Sequence, residues 1–506
     1  PNGTSDGNDN LTAGGNGDVA FGQGGPNDVD RLQAGAGSNI RLYGGEGNNE
    51  FAAGTGTSQM FGFGGNDDFT WQAGDGATTM DGGGGFNTLE VSGSANADAV
   101  GISAAPTDHH LVVAVGNVTV NATSIQGMFY DTGGGGDNVT VGALSQTVLQ
   151  ALAFNFAREG AGSDSALDTY TINGPASPES ITINEQTNTG TITQNGMTQM
   201  VTGTMEQITG LGPTFFVANP DDKLVIKPGA GNDTVVVNTN KIKGATIVNG
   251  NDSTDVYDVL GTGGPTTINT GAGTNTVNIG SKAPALGGVL SGVLADVTVK
   301  SGSGPVTLNV DDSGDATGRT GTLTATKISG LGMGGVINYD PVVALNIMLG
   351  SGPDNFTITG IAPNTVTTVD GGPGTDTVDA NFAGDFIGTL NLLEFEAITV
   401  EVGGNFTGSL FAGNPGNIQS VTITGALTST GVLAGDSVGT MSVGGDLAGE
   451  VFMNNSIGSL SVGGSITPTG FVSTGGDLTS LNVVKDLAGI VTAGGNMNSA
   501  SIGGNV

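Results

Sequence analysis

The sequence predicts an all-β fold, a parallel β-solenoid of the β-roll or β-helix type, with about 20 residues per coil in several stacked repeat segments. Glycine makes up 94 of the 506 residues, well above the ~7% of ordinary proteins. Gly-rich steps recur roughly every ten residues, and short runs of Val, Ile, Leu and Thr lie between them. Periodic turns between short strands indicate stacked coils rather than disorder.

Residues 1–95 form the first predicted segment, a β-roll-like solenoid with half-turns of about ten residues. Gly-Gly and Ala-Gly steps alternate, as at Gly44-Gly45 and Ala53-Gly54. Between the steps lie apolar residues that we expect to anchor the strands in the core, namely Leu32, Leu42, Phe51, Phe61, Phe69, Met80 and Leu89. Two half-turns complete a coil, and each strand then lies about 4.8 Å from its copy in the next coil.

Residues 96–222 form the second segment, which is β-rich but irregular. Its stretch Thr132–Val139 repeats the Gly-rich turn, and a short helix is predicted around Gln146–Arg158. The helix prediction depends on apolar residues at a spacing of four, namely Leu144, Val148, Leu152 and Phe156. A buried strand is the alternative interpretation of that stretch.

Residues 223–400 form the third segment, a β-solenoid of strand–Gly turn–strand repeats. Two of its copies are Leu224–Val237 (LVIKPGAGNDTVVV) and Thr367–Ala380 (TTVDGGPGTDTVDA). Apolar and polar residues alternate on both sides of each Gly-rich bend, which predicts two strands joined by a tight corner.

Residues 401–506 form the fourth segment, a GG-x-aliphatic β-solenoid. Its predicted anchors are Phe406, Ile418, Leu427, Val438, Leu447, Ile457, Ile466, Leu478, Leu487, Met497 and Val506. The last repeat has no polar cap, so we expect further chain or another subunit to cover that end. The first residue is Pro1 rather than Met, so we expect a processed or excerpted chain whose export signal has been removed.

The charge balance restricts the partners that we expect. With 46 acidic and 12 basic residues the formal net charge is −34, which argues against nucleic acid and anionic membranes and favours cations, Ca²⁺ above all. The chain has no Cys, so disulfides and thiolate metal sites are excluded. The longest apolar stretches, such as Pro284–Ala295, are shorter than the roughly 18 residues of a membrane span, so no membrane-spanning segment is predicted.

One turn motif carries chemistry. Gly371–Val378 (GGPGTDTV) matches the pattern Gly-Gly-x-Gly-x-Asp-x-U, with U a large apolar residue, and Gly229–Val235 and Gly350–Phe356 match it apart from the first Gly. Gly82–Leu89 and Gly44–Phe51 match with Asn in the acidic place. In these phrases the chain resembles the RTX, or haemolysin-type, calcium-repeat family of secreted bacterial proteins. The resemblance implies export, and Ca²⁺ held between stacked turns by Asp carboxylates and turn carbonyls.

The acidic positions of these turns and of the earlier turn in Thr132–Val139 are the predicted metal ligands, namely Asp233, Asp354, Asp376, Asp137, Asn49 and Asn87. The family repeats its motif in tandem, whereas here the matches come singly, and Asn offers only a neutral oxygen. The alternative interpretation is that Asp or Asn hydrogen-bonds turn N–H groups, which either residue can do. Two further acidic clusters, Asp252/Asp255/Asp258 and Asp311/Asp312/Asp315, suit a cation loop or a solvated turn equally well.

Candidates for catalysis are few, and we predict that the chain is not an enzyme. His109 and His110 are adjacent on an extended stretch and point to opposite sides, so we expect surface histidines. Glu394 and Glu396 could mimic a glycosidase pair, but strand alternation explains them more simply.

The sequence therefore leads to three hypotheses. The first is an extracellular structural protein of a bacterial surface layer, sheath or filament that self-associates and binds calcium. The second is an adhesin or stalk module that binds a glycan through residues 96–222. The third is a polysaccharide-active enzyme on a solenoid frame.

Overall fold

The structure, a computed structural model, describes residues 7–155, 157–158, 162–163, 166–194, 197–218, 221–413 and 415–506. The chain forms two compact units. Unit 1 comprises residues 1–255 and 263–269, and unit 2 comprises residues 256–262 and 270–506. The four segments predicted from the repeats are not tested by this division and stay a prediction.

Unit 1 contains only strands among its described elements. They are β1 (Asn10–Ala13), β2 (Val19–Phe21), β3 (Arg31–Ala34), β4 (Ile40–Gly45), β5 (Glu50–Ala52), β6 (Ser58–Phe63), β7 (Asp68–Gln72), β8 (Thr78–Asp81), β9 (Thr88–Ser92), β10 (Ala99–Ala104), β11 (Leu111–Val115), β12 (Val118–Thr123), β13 (Gly127–Asp131), β14 (Asn138–Val141), β15 (Ala151–Asn155), β16 (Ala157–Arg158), β17 (Gly162–Ser163), β18 (Thr169–Asn173), β19 (Ser180–Gln194), β20 (Met197–Thr209), β21 (Thr214–Ala218), β22 (Lys223–Lys227), β23 (Thr234–Thr239), β24 (Thr246–Asn249) and β26 (Thr266–Asn269).

Unit 2 likewise contains only strands in its described part. They are β25 (Val256–Thr262), β27 (Asn275–Ile279), β28 (Val297–Lys300), β29 (Val306–Asp311), β30 (Thr320–Thr324), β31 (Lys327–Gly330), β32 (Ile337–Tyr339), β33 (Ala344–Met348), β34 (Asn355–Ile358), β35 (Val366–Asp370), β36 (Thr377–Phe382), β37 (Thr389–Leu393), β38 (Ala397–Val402), β39 (Ser409–Ala412), β40 (Asn417–Ile423), β41 (Val432–Val443), β42 (Glu450–Val462), β43 (Phe471–Thr474), β44 (Leu478–Val483), β45 (Ile490–Ala493) and β46 (Met497–Ile502).

Parallel pairing at the predicted period confirms the all-β solenoid. In unit 1, Leu32 pairs with Phe51, Phe51 with Phe69 and Phe69 with Leu89. These side chains are buried, and the rings of Phe51 and Phe69 stack with centroids 4.7 Å apart. One anchor face therefore continues from coil to coil, as the sequence predicts.

One predicted anchor of unit 1 was wrong. Phe61 points outward and stacks on Tyr43, with ring centroids 5.0 Å apart, whereas its neighbour Met60 is fully buried. Successive strand residues face opposite sides, and the register places Met60 between Leu42 and Met80 in the core. The sequence therefore offers two adjacent apolar residues, and the inward position belongs to Met60.

The predicted helix around Gln146–Arg158 was also wrong. Ala151–Asn155 forms β15, which pairs in parallel with β13 and β21. Consecutive residues Ala151, Leu152, Ala153 and Phe154 are all buried, so the run is apolar on both faces of a strand. Continuous burial of this kind mimics a helical spacing of four. Phe156, the last residue of that pattern, lies outside the described residues.

Among the described residues, three insertions of antiparallel strands interrupt the parallel pairing, and β16 and β17 form a separate antiparallel pair. β10, β11 and β12 pair antiparallel in sequence order, and so do β19, β20 and β21. In unit 2 the same holds for β30, β31 and β32. In the first insertion β12 still pairs in parallel with β8, so the coil continues beyond the added strands.

The last part of unit 2 stacks in the predicted way. Phe406, Leu427, Leu447, Ile466 and Leu487 bridge one another in parallel, and the first four are fully buried. Met497 and Val506, predicted as anchors, are exposed on the last coil. In the part of the chain that the structure describes, no helix has the length and apolarity needed to cross a bilayer.

Candidate functional site

The six predicted metal ligands share one structural position. Each side chain is buried beneath a Gly-rich turn, and one of its oxygens accepts a hydrogen bond from a backbone N–H of the coil before it. The donors and distances are Asp30 to Asn49 3.2 Å, Asp67 to Asn87 2.9 Å, Asp98 to Asp137 2.6 Å, Glu179 to Asp233 2.7 Å, Arg319 to Asp354 2.6 Å and Asp354 to Asp376 2.7 Å. We call this set of bonds the turn ladder.

The turn ladder meets a local need of the backbone. Strand pairing ends at each turn, so a turn N–H that faces inward lacks a carbonyl partner, and a buried unpaired N–H is costly. The side-chain oxygen of the next coil supplies the missing acceptor. The alternative interpretation of the sequence was that Asp or Asn bonds N–H groups of its own turn. In the structure these hydrogen bonds run mainly between coils.

Glycine spacing in the motif follows from this burial. A Cβ on Gly44 would lie 2.5 Å from Nδ2 of Asn49, and one on Gly62 would lie 2.1 Å from Oδ2 of Asp67. A Cβ on Gly82 would lie 2.3 Å from Nδ2 of Asn87. Each glycine stands five residues before the side chain for which it makes room. Packing alone thus accounts for part of the pattern that resembles a calcium repeat.

The turn ladder has members that the sequence analysis did not assign to these turns. They are Asp30, Asp67, Gln126, Asp168, Asp222, Asp255, Asp312 and Glu396. With them the bonds form relays, such as Arg319 to Asp354 to Asp376 to Glu396 in unit 2. A search for a polar residue of any type just before a strand, repeated once per coil, would have identified them.

A second set of turn bonds runs in the opposite direction along the chain. In the turn ladder the acceptor follows its donor, as in Asp354 and Asp376. In the second set the acceptor precedes its donor, since Asn66 donates its N–H to Asn48 at 2.8 Å in unit 1. In unit 2, Asn405 donates to Asp385 at 2.7 Å and Ser465 donates to Asp446 at 2.8 Å. These three acceptors are exposed rather than buried.

Burial shifts the acidity of several ladder carboxyls. Desolvation raises the pKa of Asp67 to about 6 and that of Asp312 to about 7. The pKa of Asp376 is also raised to about 6, first by desolvation and then by the neighbouring carboxylates of Asp354 and Glu396. One buried carboxylate oxygen of each of these three residues has no hydrogen-bond partner.

The two acidic clusters separate into different roles. Asp255 belongs to the turn ladder, whereas Asp258 accepts a hydrogen bond from Nδ2 of Asn278 at 2.8 Å. In the other cluster Asp312 belongs to the turn ladder, and Asp315 forms an ion pair with Arg319 at 2.6 Å. Neighbours in sequence thus face different partners, and neither cluster converges on one point.

The candidate catalytic residues also have identified partners. Nδ1 of His110 lies 2.6 Å from Oδ1 of Asp108, and its Nε2 lies 3.2 Å from Oδ1 of Asn121. The hydrogen bond from His110 lowers the pKa of the Asp108 carboxyl. Glu396 accepts the N–H of Asp376 at 2.5 Å, so one oxygen of its carboxylate is engaged in a backbone hydrogen bond.

One buried acid was missed entirely. Glu206 in β20 is fully buried, and Tyr170 of β18 donates its hydroxyl hydrogen to it. Desolvation raises the pKa of Glu206 to about 7, although the hydrogen bond from Tyr170 opposes the shift. Strand alternation alone gives no reason to place this glutamate inside.

The comparisons with known proteins leave the family open. No protein-family model matches the sequence, and a search of curated proteins found no match. The RTX resemblance therefore stays a prediction.

Calcium binding by the turn ladder also stays a prediction. Ca²⁺ takes about six to eight oxygen ligands, whereas each predicted ligand here already accepts a backbone N–H. Among the described residues no group of three or more acidic or histidine side chains is placed to hold a metal ion.

Proposed function

We propose that this chain is an extracellular structural protein of a surface layer, sheath or filament, in which stacked coils provide stiffness. The observation that carries the proposal is the column of parallel strands in unit 2. From β27 it continues through β29, β33, β35, β37, β39, β41, β42, β43 and β45, each pairing with the next. Each coil is thus bonded to its neighbours, which favours a stiff support.

The side chains support the same proposal. Four carboxylates that the sequence analysis considered for metal binding or catalysis accept backbone hydrogen bonds of the turn ladder, namely those of Asp233, Asp354, Asp376 and Glu396. A buried side chain whose oxygen already holds a neighbouring coil has a structural use. The proposal therefore assigns no catalytic role to these groups.

Self-association is part of the proposal. Strand β46 pairs with β44, and the coil that contains it exposes Ile490 and Met497. A parallel strand edge beside apolar side chains can accept a further coil, from the same chain or from a second copy. Electron microscopy of the purified chain tests this directly. We expect ordered polymers, and a protein that stays monomeric at high concentration would contradict self-association.

Calcium enters the proposal as a ligand that promotes assembly, supported by the excess of 46 acidic over 12 basic residues. The same microscopy with about 5–10 mM CaCl₂, and then with excess chelator, tests this role of calcium. Polymers that form only with calcium would support the proposal. Polymers that are indifferent to the chelator would remove calcium from it and leave assembly intact.

Secretion and surface location need a separate experiment. Immunogold labelling of intact cells with an antibody to the chain should decorate the outer surface or the surrounding matrix. Label confined to the cell interior would overturn the extracellular role.

A further inference from the structure

One outward-facing row of side chains in unit 2 changes character along its length. Its members are Cα partners in successive coils, namely Asn278, Asn309, Asn346, Thr368, Asn391, Phe411, Ala434 and Phe452. We call these residues the groove row. The first five are amides or hydroxyls, and the last three are two aromatic residues on either side of an alanine.

Three residues of the polar half of the groove row, Asn278, Asn309 and Asn346, form a ladder of amides. Nδ2 of Asn309 donates to Oδ1 of Asn278 at 2.7 Å, and Nδ2 of Asn346 donates to Oδ1 of Asn309 at 2.8 Å. An amide side chain has two N–H donors and two acceptor lone pairs. Asn309 uses one of each within the ladder, so it keeps one N–H and one lone pair for another molecule.

This amide ladder lies in a cavity. The cavity has a volume of about 310 Å³, and the loop that contains Ala283, Pro284 and Leu286 contributes to its lining beside the ladder amides. Polar groups with unused hydrogen-bonding capacity are thus held inside a concave surface rather than on an open strand face.

The aromatic half of the groove row forms a slot. Phe411 and Phe452 are 41% and 39% exposed, and Ala434 stands between them. Two coil spacings separate the aromatic residues, roughly 9.6 Å, and a methyl group is too small to fill that gap. A cavity of about 400 Å³ follows, lined also by Gly413 and Gly435.

Polar groups border the slot at both ends. Asn391 donates to Oγ1 of Thr368 at 3.1 Å, and Asn454 donates to Oδ1 of Asp436 at 2.9 Å. Asn391, Thr368 and Asn454 line the same cavity as the two phenylalanines. Aromatic walls with a few fixed polar groups are typical of small-molecule and saccharide sites.

We infer that the groove row binds an extended, uncharged polysaccharide chain. A sugar ring has an apolar C–H face that packs against an aromatic side chain, and a rim of hydroxyls that both donate and accept hydrogen bonds. The slot suits the ring face, and the amide ladder suits the hydroxyls of the following rings. The repeat of the coil presents these contacts along a line, as a linear polymer requires.

Charge favours an uncharged chain. The residues that line the two cavities include Asp311 but neither Lys nor Arg. A polyanionic glycan would therefore meet repulsion without a compensating cation.

An extended peptide is the competing occupant, and the pairing of the strands disfavours it. A peptide that adds to a sheet needs an open strand edge. The strands of the groove row are paired on both sides, as β37 is with β35 and β39. Only side chains therefore face the ligand, and this inference is independent of the assembly proposed above.

Native gel electrophoresis of the full chain in gels that contain hydroxyethylcellulose, xyloglucan, laminarin or dextran tests the inference. We expect at least one of these neutral polysaccharides to retard the protein. F411A and F452A should each weaken the affinity roughly tenfold, as expected when one aromatic packing contact is lost. F21A is the matched control, because Phe21 is an exposed aromatic residue of unit 1, and it should bind like the natural chain.

The variant A434F separates a folding defect from a lost site. A phenylalanine at 434 would fill the slot by continuing a stack of rings, as Phe21, Tyr43 and Phe61 do in unit 1 with centroids 4.9 and 5.0 Å apart. We expect A434F to keep the melting temperature and circular dichroism of the natural chain but to lose retardation. The inference is overturned if no polysaccharide retards the protein, if A434F and F411A bind normally, or if an extended peptide library binds at these residues instead.

Discussion

Asp354 donates its backbone N–H to a carboxylate oxygen of Asp376, 2.7 Å away in the next coil of unit 2. Asp354 in turn accepts the N–H of Arg319 at 2.6 Å. One residue type thus serves as donor through its backbone and as acceptor through its side chain. Because Asn49 and Asn87 occupy the same position in unit 1, the bond itself needs an oxygen but not a charge.

Replacing the buried charge of Asp376 should stabilise the protein at neutral pH. Its pKa is raised from 3.8 to about 6 in the folded state, so the folded protein holds this proton to a higher pH than the unfolded chain does. The stability linked to that proton is fully present below about pH 4 and is lost as the pH rises through about 6. We expect D376N to be more stable than the natural chain by about 1–3 kcal/mol at pH 7.5, with the difference vanishing near pH 4.

Thermal unfolding followed by circular dichroism between pH 4 and 8 measures this difference. D446N is the control, since Asp446 is exposed and should show no such trend. A D376N protein that is less stable at pH 7.5 would mean that the carboxylate is required. Stabilisation of the natural chain by CaCl₂ that is lost in D376N would locate a calcium ligand there.

Adding a methyl group to Gly62 should disrupt the turn ladder of unit 1. A Cβ at this position would lie 2.1 Å from Oδ2 of Asp67 and 2.7 Å from the carbonyl oxygen of Gly82. Overpacking of this kind costs about 1–3 kcal/mol, and we expect G62A to unfold at a correspondingly lower denaturant concentration. G14A is the matched control because a Cβ on Gly14 would meet no atom within 4 Å. Equal midpoints for the two variants would refute the packing account of the motif.

The buried Tyr170–Glu206 pair should respond differently to removal of its donor and of its charge. Y170F leaves the buried carboxyl group without this hydroxyl donor, and we expect a loss of about 1–3 kcal/mol in the free energy of unfolding. E206Q keeps an oxygen to accept the hydroxyl hydrogen, and removes a group whose pKa is raised to about 7. We therefore expect E206Q to be at least as stable as the natural chain at pH 8. Urea unfolding of both variants decides the matter, and a larger loss for E206Q than for Y170F would contradict it.

Replacing Phe63 with glycine should cost less stability than the loss of so large a side chain suggests. Its φ is 75°, in the left-handed region, where a residue with a side chain is strained by about 1–2 kcal/mol. Gly83, in the adjacent turn of the next coil, has the same φ of 75° and stands where the geometry favours it. We expect F63G to leave the melting temperature unchanged or higher, whereas F21A, at an exposed ring without this strain, should lower it slightly. A marked loss of stability in F63G would show that the ring contact with Tyr43, at 6.2 Å between centroids, outweighs the strain.

Much of the fold could be predicted because apolar residues recur in the sequence at intervals of one coil. Leu32, Phe51, Phe69 and Leu89 recur at the coil length, and each is an inward anchor. Met60 and Phe61 could not be ordered in this way, since both are apolar and only the register of neighbouring coils selects the inward one. The stretch Ala151–Asn155 was wrongly predicted as part of a helix for a related reason. A strand that is buried on both faces shows no alternation of apolar and polar residues.

The candidate sites could be predicted only in part. The Gly-rich turns identify Asp233, Asp354 and Asp376 as a class, but the donor of each bond lies some 20 residues or more away and depends on which coil stacks next. The groove row was missed because its members follow no local motif. Asn309 and Phe411 are ordinary strand residues until the stack places them in one line.

The direction of the turn bonds bears on the order in which the chain can fold during synthesis. The backbone N–H of Asp354 has its acceptor only after Asp376 has been synthesised and has packed against it. The hydrogen bonds of the upstream coil are therefore completed only by the coil that follows. Ser465 and Asn496 instead find their acceptors, Asp446 and Asp477, in chain that has already been made. Each of the final coils can thus form these hydrogen bonds to the coil before it as soon as it has been synthesised. Truncation from the carboxyl terminus should consequently be tolerated coil by coil there, and fail once it reaches the relay that ends at Glu396.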